Sequence, residues 1–175
     1  SVSRPLPACD TLAAMAADLA ATEIDLRRRY RLRETPHPLP GHCRALRGAV
    51  FPRNVVVLGA NAVASVVESY VALAEGVALT STVTEANLAA GARFDHCKIQ
   101  RESAQSFHLA TLEVRQERDS YLNSFSFAQG AALSRTNIYT TLAGPGAHAT
   151  LYGLYLGEGR QHVDHQTRIE HAAPN

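Results

Sequence analysis

Two periods of hydrophobicity divide the chain. From Asp10 to Arg33 apolar side chains recur at helical spacing. Leu12, Met15, Leu19, Leu26 and Tyr30 share a face, and Asp10 is a fitting N-cap. The basic run Arg27 to Arg29, with Arg31 and Arg33, suits the last turn of a helix, where the backbone dipole favours cations, and reads as a solvated face rather than an anion site. The spacing predicts a helical segment over residues 1–35. Next comes "ETPHPLPGH", whose Pro36, Pro38, Pro40 and Gly41 neither continue a helix nor sit in a central strand, so residues 36–50 read as a linker. From Phe51 onward the period falls to two. In "LATLEVR" Ala110, Leu112 and Val114 face one way, and in "NIYTTL" Ile138, Thr140 and Leu142 do the same. Turn-like glycines stand at Gly59, Gly76, Gly91, Gly130, Gly146 and Gly159, with "ERDS" as a further turn between two of them.

Short alternating segments joined by turns build either a sandwich of hairpins or a parallel β-helix. Hairpin signals such as Asn-Gly or Asp-Gly are absent, whereas small-residue corners recur in "AAGA", "AQGAA" and "GPGA", which favours the β-helix over residues 51–175. The expected fold is therefore mainly β: a right-handed parallel β-helix of stacked short strands preceded by an N-terminal helix.

Composition changes this picture little. With 175 residues, 46% of them hydrophobic, the chain is long enough for one domain with its own core. Seventeen basic against sixteen acidic residues leave a formal charge of +1, so no global field draws it to nucleic acid or an anionic membrane. The most apolar stretch, Val55 to Val67, is broken by Gly59 and Asn61 and is too short to cross a bilayer, which leaves a cytoplasmic location as the default. Cys9, Cys43 and Cys97 are odd in number and widely spaced, a pattern of reduced structural thiols rather than a disulfide framework or a metal motif.

Candidate chemistry concentrates in "GRQHVDHQTRIEH", Gly159 to His171. On a strand His165 and His171 share a face with Val163, Thr167 and Ile169, while His162, Asp164, Gln166, Arg168 and Glu170 share the other. His162 and Asp164 could chelate a metal, but two ligands do not make a site, and a hydrogen-bonded ladder of polar side chains between rungs is the plainer reading. Asp95, His96 and Cys97 sit together in "FDHCK", with His96 on the opposite face from the other two. The aromatic residues Tyr121, Phe125, Phe127, Tyr139, Tyr152 and Tyr155 read as core rather than as a carbohydrate platform. The residues show no nucleophile-base constellation, so no catalytic or cofactor-binding residue is assigned. The alternatives are a β-helical carbohydrate-active enzyme, for which Asp164 and Glu170 are the available carboxylates, or a small metal-binding β protein resting on His162 and Asp164.

Three stretches, "FPRNVVVLGANAVASVVESY", "TVTEANLAAGARFDHCKIQRES" and "GAALSRTNIYTTLAGPGAHATLYGLYLGEGRQHVDHQTRIEHAAPN", together resemble the SufB/SufD family of iron-sulfur cluster assembly proteins over about Phe51 to Asn175. "KIQRES" followed by His108 is more similar to the SufD branch. The resemblance implies a β-helical, non-catalytic scaffold subunit that pairs with a SufB-like subunit and a SufC-like ABC ATPase, in a complex that handles an iron-sulfur cluster without this chain holding one. It implies a cytoplasmic location, or a plastid if the source is a photosynthetic eukaryote. Chains of the family continue past "HAAPN" into more β-helix and then a helical domain, a part that in the family holds the main SufB contact and the SufC-docking helices, so this chain resembles a truncated SufD-like protein. Its open β-helix end is then expected to favour self-association.

Overall fold

A computed structural model describes residues 22–26, 48–72 and 75–173. Eleven strands follow one another: β1 Thr22–Leu26, β2 Gly48–Val50, β3 Arg53–Leu58, β4 Val63–Val71, β5 Ala78–Leu88, β6 Arg93–Glu102, β7 Phe107–Gln116, β8 Tyr121–Gly130, β9 Leu133–Leu142, β10 His148–Leu156 and β11 His162–His171. All strand pairings among the described residues are parallel, and each strand pairs with the one two places along the chain, apart from β2, which pairs with β5. One sheet has the order β1-β3-β5-β7-β9-β11 and the other β10-β8-β6-β4. This is the expected parallel β-solenoid: four coils, each with one strand in either sheet, and β11 opening the next.

The corner between the sheets explains the glycines. Stacked turns close with Ala62 N–H donating to the Gly59 carbonyl, Ala92 to Ala89, Ser120 to Glu117 and Ala147 to Gly144. The third residue of each has positive φ: Asn61, Gly91, Asp119 and Gly146. These residue types tolerate the left-handed region that a turn demands there. Their alternation is also steric, because a Cβ on Gly91 would overlap Asn61 Oδ1 and one on Gly146 would overlap Asp119 Oδ1. A turn with a side chain here is therefore followed by one without.

The solenoid starts earlier than the period change at Phe51 suggests, since β2 joins β5 from Gly48. Strand β1 lies within the stretch expected to be helical; Asp10, Leu12, Met15, Leu19, Tyr30 and the arginines from Arg27 to Arg33 lie outside the described residues, as do Cys9, Cys43 and most of the Pro-containing linker. No helix among the described residues is long and apolar enough to cross a membrane.

The interior is divided in two. Next to the stacked turns it is apolar: Val56, Leu58, Ala64, Leu88, Phe94, Val114 and Leu122 form one buried cluster. Towards the opposite corner the inward positions are polar. Thr80, Thr82, Thr84, His96, Lys98, Gln100, His108, Ser124, Ser126, Ser134 and Thr136 are all buried.

Candidate functional site

Strand alternation builds the polar half. In "KIQRES" Lys98 and Gln100 point inward, as does the half-buried Glu102, while Ile99 and Arg101 point out. Register places Lys98 between Glu68 of the coil before and Ser126 of the coil after. Burying charges is costly unless they are paired and hydrogen-bonded.

Glu68 is the best-satisfied group. Its Oε1 accepts from Thr84 Oγ1 at 2.5 Å and lies 3.2 Å from His96 Nε2, and its Oε2 accepts from the Tyr70 hydroxyl at 2.8 Å. Burial pushes the carboxyl up, but His96, Thr84 and Tyr70 outweigh it and hold it at about 2. His96 Nδ1 in turn sits 3.0 Å from Ser124 Oγ. Burial, then the Glu68 charge, push the Tyr70 hydroxyl well above its ordinary range.

Lys98 runs along the solenoid axis, and its Nζ donates to Thr136 Oγ1 at 2.7 Å, two coils away in sheet order. Burial lowers the ammonium to about 8, against the opposing pull of Glu68 and Glu102. A second acid-histidine pair lies beside it. Glu102 Oε1 accepts from Thr80 Oγ1 at 2.6 Å, and Oε2 lies 2.8 Å from His108 Nδ1. That last contact is close but not aligned as a hydrogen bond. Burial lowers the His108 pKa, with Glu102 pulling the other way. Burial raises the Glu102 carboxyl, but His108 and Thr80 more than offset it, so it is held below its usual value.

Ser124, His96 and Glu68 are arranged like a nucleophile, base and orienting carboxylate. What the arrangement lacks is room. The cavity lined by Glu68, His96, Lys98, Ser124, Ser126 and Thr136 has a volume of about 10 Å³, enough for one water. Substrate clefts are larger by more than an order of magnitude. Ser126 Oγ is buried beside Lys98 with no protein partner, which marks where such a water would bind.

The C-terminal cluster splits by face as expected. Inward-facing His165 packs on Gly153, where a Cβ would come within 2.9 Å of its Nδ1, and edge-on to Tyr155 at 5.8 Å. Burial and then Lys98 lower its pKa. His162 and Asp164 lie outside, where Asp164 Oδ2 is 3.5 Å from Arg135 Nε. Glu170 lies 3.4 Å from Arg168, so both acids that a carbohydrate-active enzyme would need are engaged by arginines. No group of three or more metal-ligating side chains occurs among the described residues. His96 is inward while Asp95 and Cys97 are outward, in agreement with the alternation of "FDHCK".

Two points were not foreseen. The polar interior is one: "KIQRES" carries the family likeness, but its alternation, with Thr80, Thr82 and Thr84 in register, is also what lines the lumen. The aromatics are the other and need correcting. Tyr121, Phe125 and Tyr152 are exposed, and Phe127 and Tyr139 face outward half-buried, because Leu122 and Ala128 take the inward positions of β8.

Comparison with known proteins places this geometry. The chain is 30% identical over 128 residues to an iron-sulfur cluster assembly SufBD family protein of Synechocystis, covering 69% of this chain and 28% of the relative. It is 29% identical over 119 residues to the iron-sulfur cluster assembly protein SufD of Escherichia coli, covering 68% and 28%. It is 28% identical over 119 residues to the chloroplastic protein ABCI7 of Arabidopsis thaliana, covering 67% and 25%. The matches thus span about a quarter of these relatives' length. No solved structure matches the chain. Residues 42–175 match the SufBD core domain of SUF system FeS cluster assembly, so the chain belongs to the SufB/SufD family.

Proposed function

We propose that the chain is the core segment of a SufD-like scaffold subunit, which supports iron-sulfur cluster assembly without catalysing a step itself. The observation that carries this reading is the core-domain match over residues 42–175, laid on a solenoid in which the Glu68-His96 pair borders a cavity of only about 10 Å³. The likeness of "KIQRES" and His108 to the SufD branch, together with the SufD of Escherichia coli among the relatives, supports SufD over SufB. In this reading the full-length parent pairs with a SufB-like subunit and a SufC-like ABC ATPase, in the cytoplasm or a plastid. The chain holds no cofactor, and the cluster is the complex's cargo. The free edges of β10 and β11 are where further coils, or another copy of the chain, would add strands.

Affinity purification tests it. The tagged full-length parent is expected to retain both SufB-like and SufC-like partners, whereas the 175-residue chain is expected to lose the ATPase. Tight binding of the ATPase by the 175-residue chain would move the contact into the part described above. A parent that retains neither partner would refute the scaffold role.

A further inference from the structure

Strand β10 carries a glycine where its inward column calls for a side chain. Register sets Glu68, Lys98, Ser126 and Gly153 in one line along the sheet. A glycine inside a strand weakens it and often marks a close approach by another group. Gly153 lacks the positive φ of the turn glycines, so its backbone alone does not require one. What it accommodates is His165, since a Cβ at position 153 would come within 2.9 Å of the ring's Nδ1. Tyr155 of β10 packs edge-on against the same ring at 5.8 Å, and Thr136 of β9 stands beside it in register. Thr136 Oγ1 accepts from the Lys98 ammonium at 2.7 Å, so a single residue separates the imidazole from a buried positive charge.

We propose that His165 is a pH-sensitive latch, which as a neutral ring fastens β11 to β10 over the lumen beyond Lys98 and releases that coil when it takes up a proton. Protonation makes both ring nitrogens donors. Nε2 is buried and has no hydrogen-bond partner, so the imidazolium keeps a buried N–H without an acceptor, and leaving one unpaired there is costly. The surrounding charges act in the same direction. Lys98 of β6 repels an imidazolium. Asp164, next to His165 on β11, attracts it but faces outward, 3.5 Å from Arg135 of β9. Ser126 of β8 and Thr136 of β9 carry no charge, and Tyr155 of β10 offers the ring an edge.

Burial and then Lys98 lower the ring's pKa, against Asp164. The released ring therefore binds a proton that the latched ring refuses. Closure is complete above the ordinary value of 6.5 and is lost as pH falls from there through the lowered one. Opening this coil uncovers Ser126 and Thr136 and lets water reach Lys98. The latch is a property of the solenoid itself and does not depend on the scaffold role.

Hydrogen exchange by mass spectrometry, joined to NMR of the His165 Cε1–H signal assigned through the backbone, is the test on the 175-residue chain. Protection of Leu151 to His171, corrected for the intrinsic pH dependence of exchange, is expected to fall about fivefold or more between about pH 7.5 and pH 5. In His165→Gln, which stays polar but does not titrate, that fall is expected to vanish. The His165 signal is expected to titrate below 6.5. Its midpoint is expected to rise in Lys98→Met, which removes the opposing charge, and in Gly153→Ala, which displaces the ring towards water. An acid loss of protection that survives in His165→Gln overturns the proposal. So does a midpoint at or above 6.5 in the parent chain, or one that Lys98→Met leaves in place. Far-UV circular dichroism shows whether each variant folds, and where one does not, the titration of the parent chain decides.

Discussion

Lys98 is the only lysine in the chain, 3% exposed, with its ammonium on Thr136 Oγ1 at 2.7 Å and held by burial at about 8 against an ordinary 10.5. The sign of the resulting pH dependence follows from proton counting. Between about pH 8 and 10.5 the unfolded chain binds a proton at this site that the folded chain has lost, so stability rises with pH through that window. Below pH 8 both forms are protonated and the cost of the buried charge is complete. At about 1.4 kcal/mol for each pH unit, the window is worth about 3 kcal/mol. Lys98→Met keeps most of the volume and removes the titration. Urea unfolding of both chains at several pH values from about 7 to about 9.5 gives the comparison. The difference in stability is expected to be flat up to pH 8 and then to move in favour of the lysine form by about 2 kcal/mol at pH 9.5. The range stops there because Tyr70, pushed up by burial and Glu68, contributes with opposite sign once unfolded tyrosine ionises near about pH 10. Because the chain has one lysine, selective 13C labelling at Cε also gives a single NMR signal, with an expected midpoint of about 8. A stability difference independent of pH, or a midpoint above about 10, would show that the ammonium reaches water.

Two further predictions concern groups beside it. Glu68, held at about 2 against an ordinary 4.5, contributes stability that is complete above about pH 4.5 and lost as pH falls from there towards 2, about 3 kcal/mol in all. Glu68→Gln is expected to be less stable at neutral pH and to lack that acid limb, as read from urea midpoints between about pH 5 and 3; an unchanged acid limb would refute the pairing with His96. Gly91→Ala, at φ +68 with a Cβ overlapping Asn61 Oδ1, is expected to lower stability by about 2 kcal/mol. Adding Asn61→Gly should recover the steric part, and a variant melting like the parent would show that the stacked turns yield freely.

Much of the solenoid was legible because its corners constrain residue type. "ERDS", "AAGA" and "GPGA" are turn sequences, and five of the six glycines marked in the sequence, Gly76, Gly91, Gly130, Gly146 and Gly159, carry positive φ. Asn61 and Asp119 occupy the same left-handed position without being glycine, so the stacking of turns was hidden until register paired them. Alternation likewise assigned Ala110, Leu112 and Val114 correctly, and register with β9 sets Val163, His165, Thr167 and Ile169 of "QHVDHQTRIEH" opposite its inward positions, as alternation expects.

Alternation gives two sets of positions but does not say which is inside. In "YLNSFSFAQG" both sets contain large apolar residues, and the usual preference sends Phe125 and Phe127 inward. The structure sends Ser124 and Ser126 inward instead, because shifting β8 by one residue would expose Leu122 and bring Asn123 into the apolar cluster beside Phe94. The same choice in β6 buries Lys98 and Gln100 and turns Cys97, Ile99 and Arg101 outward. These choices depend on one another. An ammonium that reaches from β6 to Thr136 of β9 needs short side chains in the intervening coil, and Ala110 and Ser126 line the cavity there. Phenylalanine at position 126 would fill that path and leave Lys98 buried without Thr136. The exposed Phe125 and the buried lysine therefore have one cause, a register set by the apolar corner, and only pairing between coils reveals it.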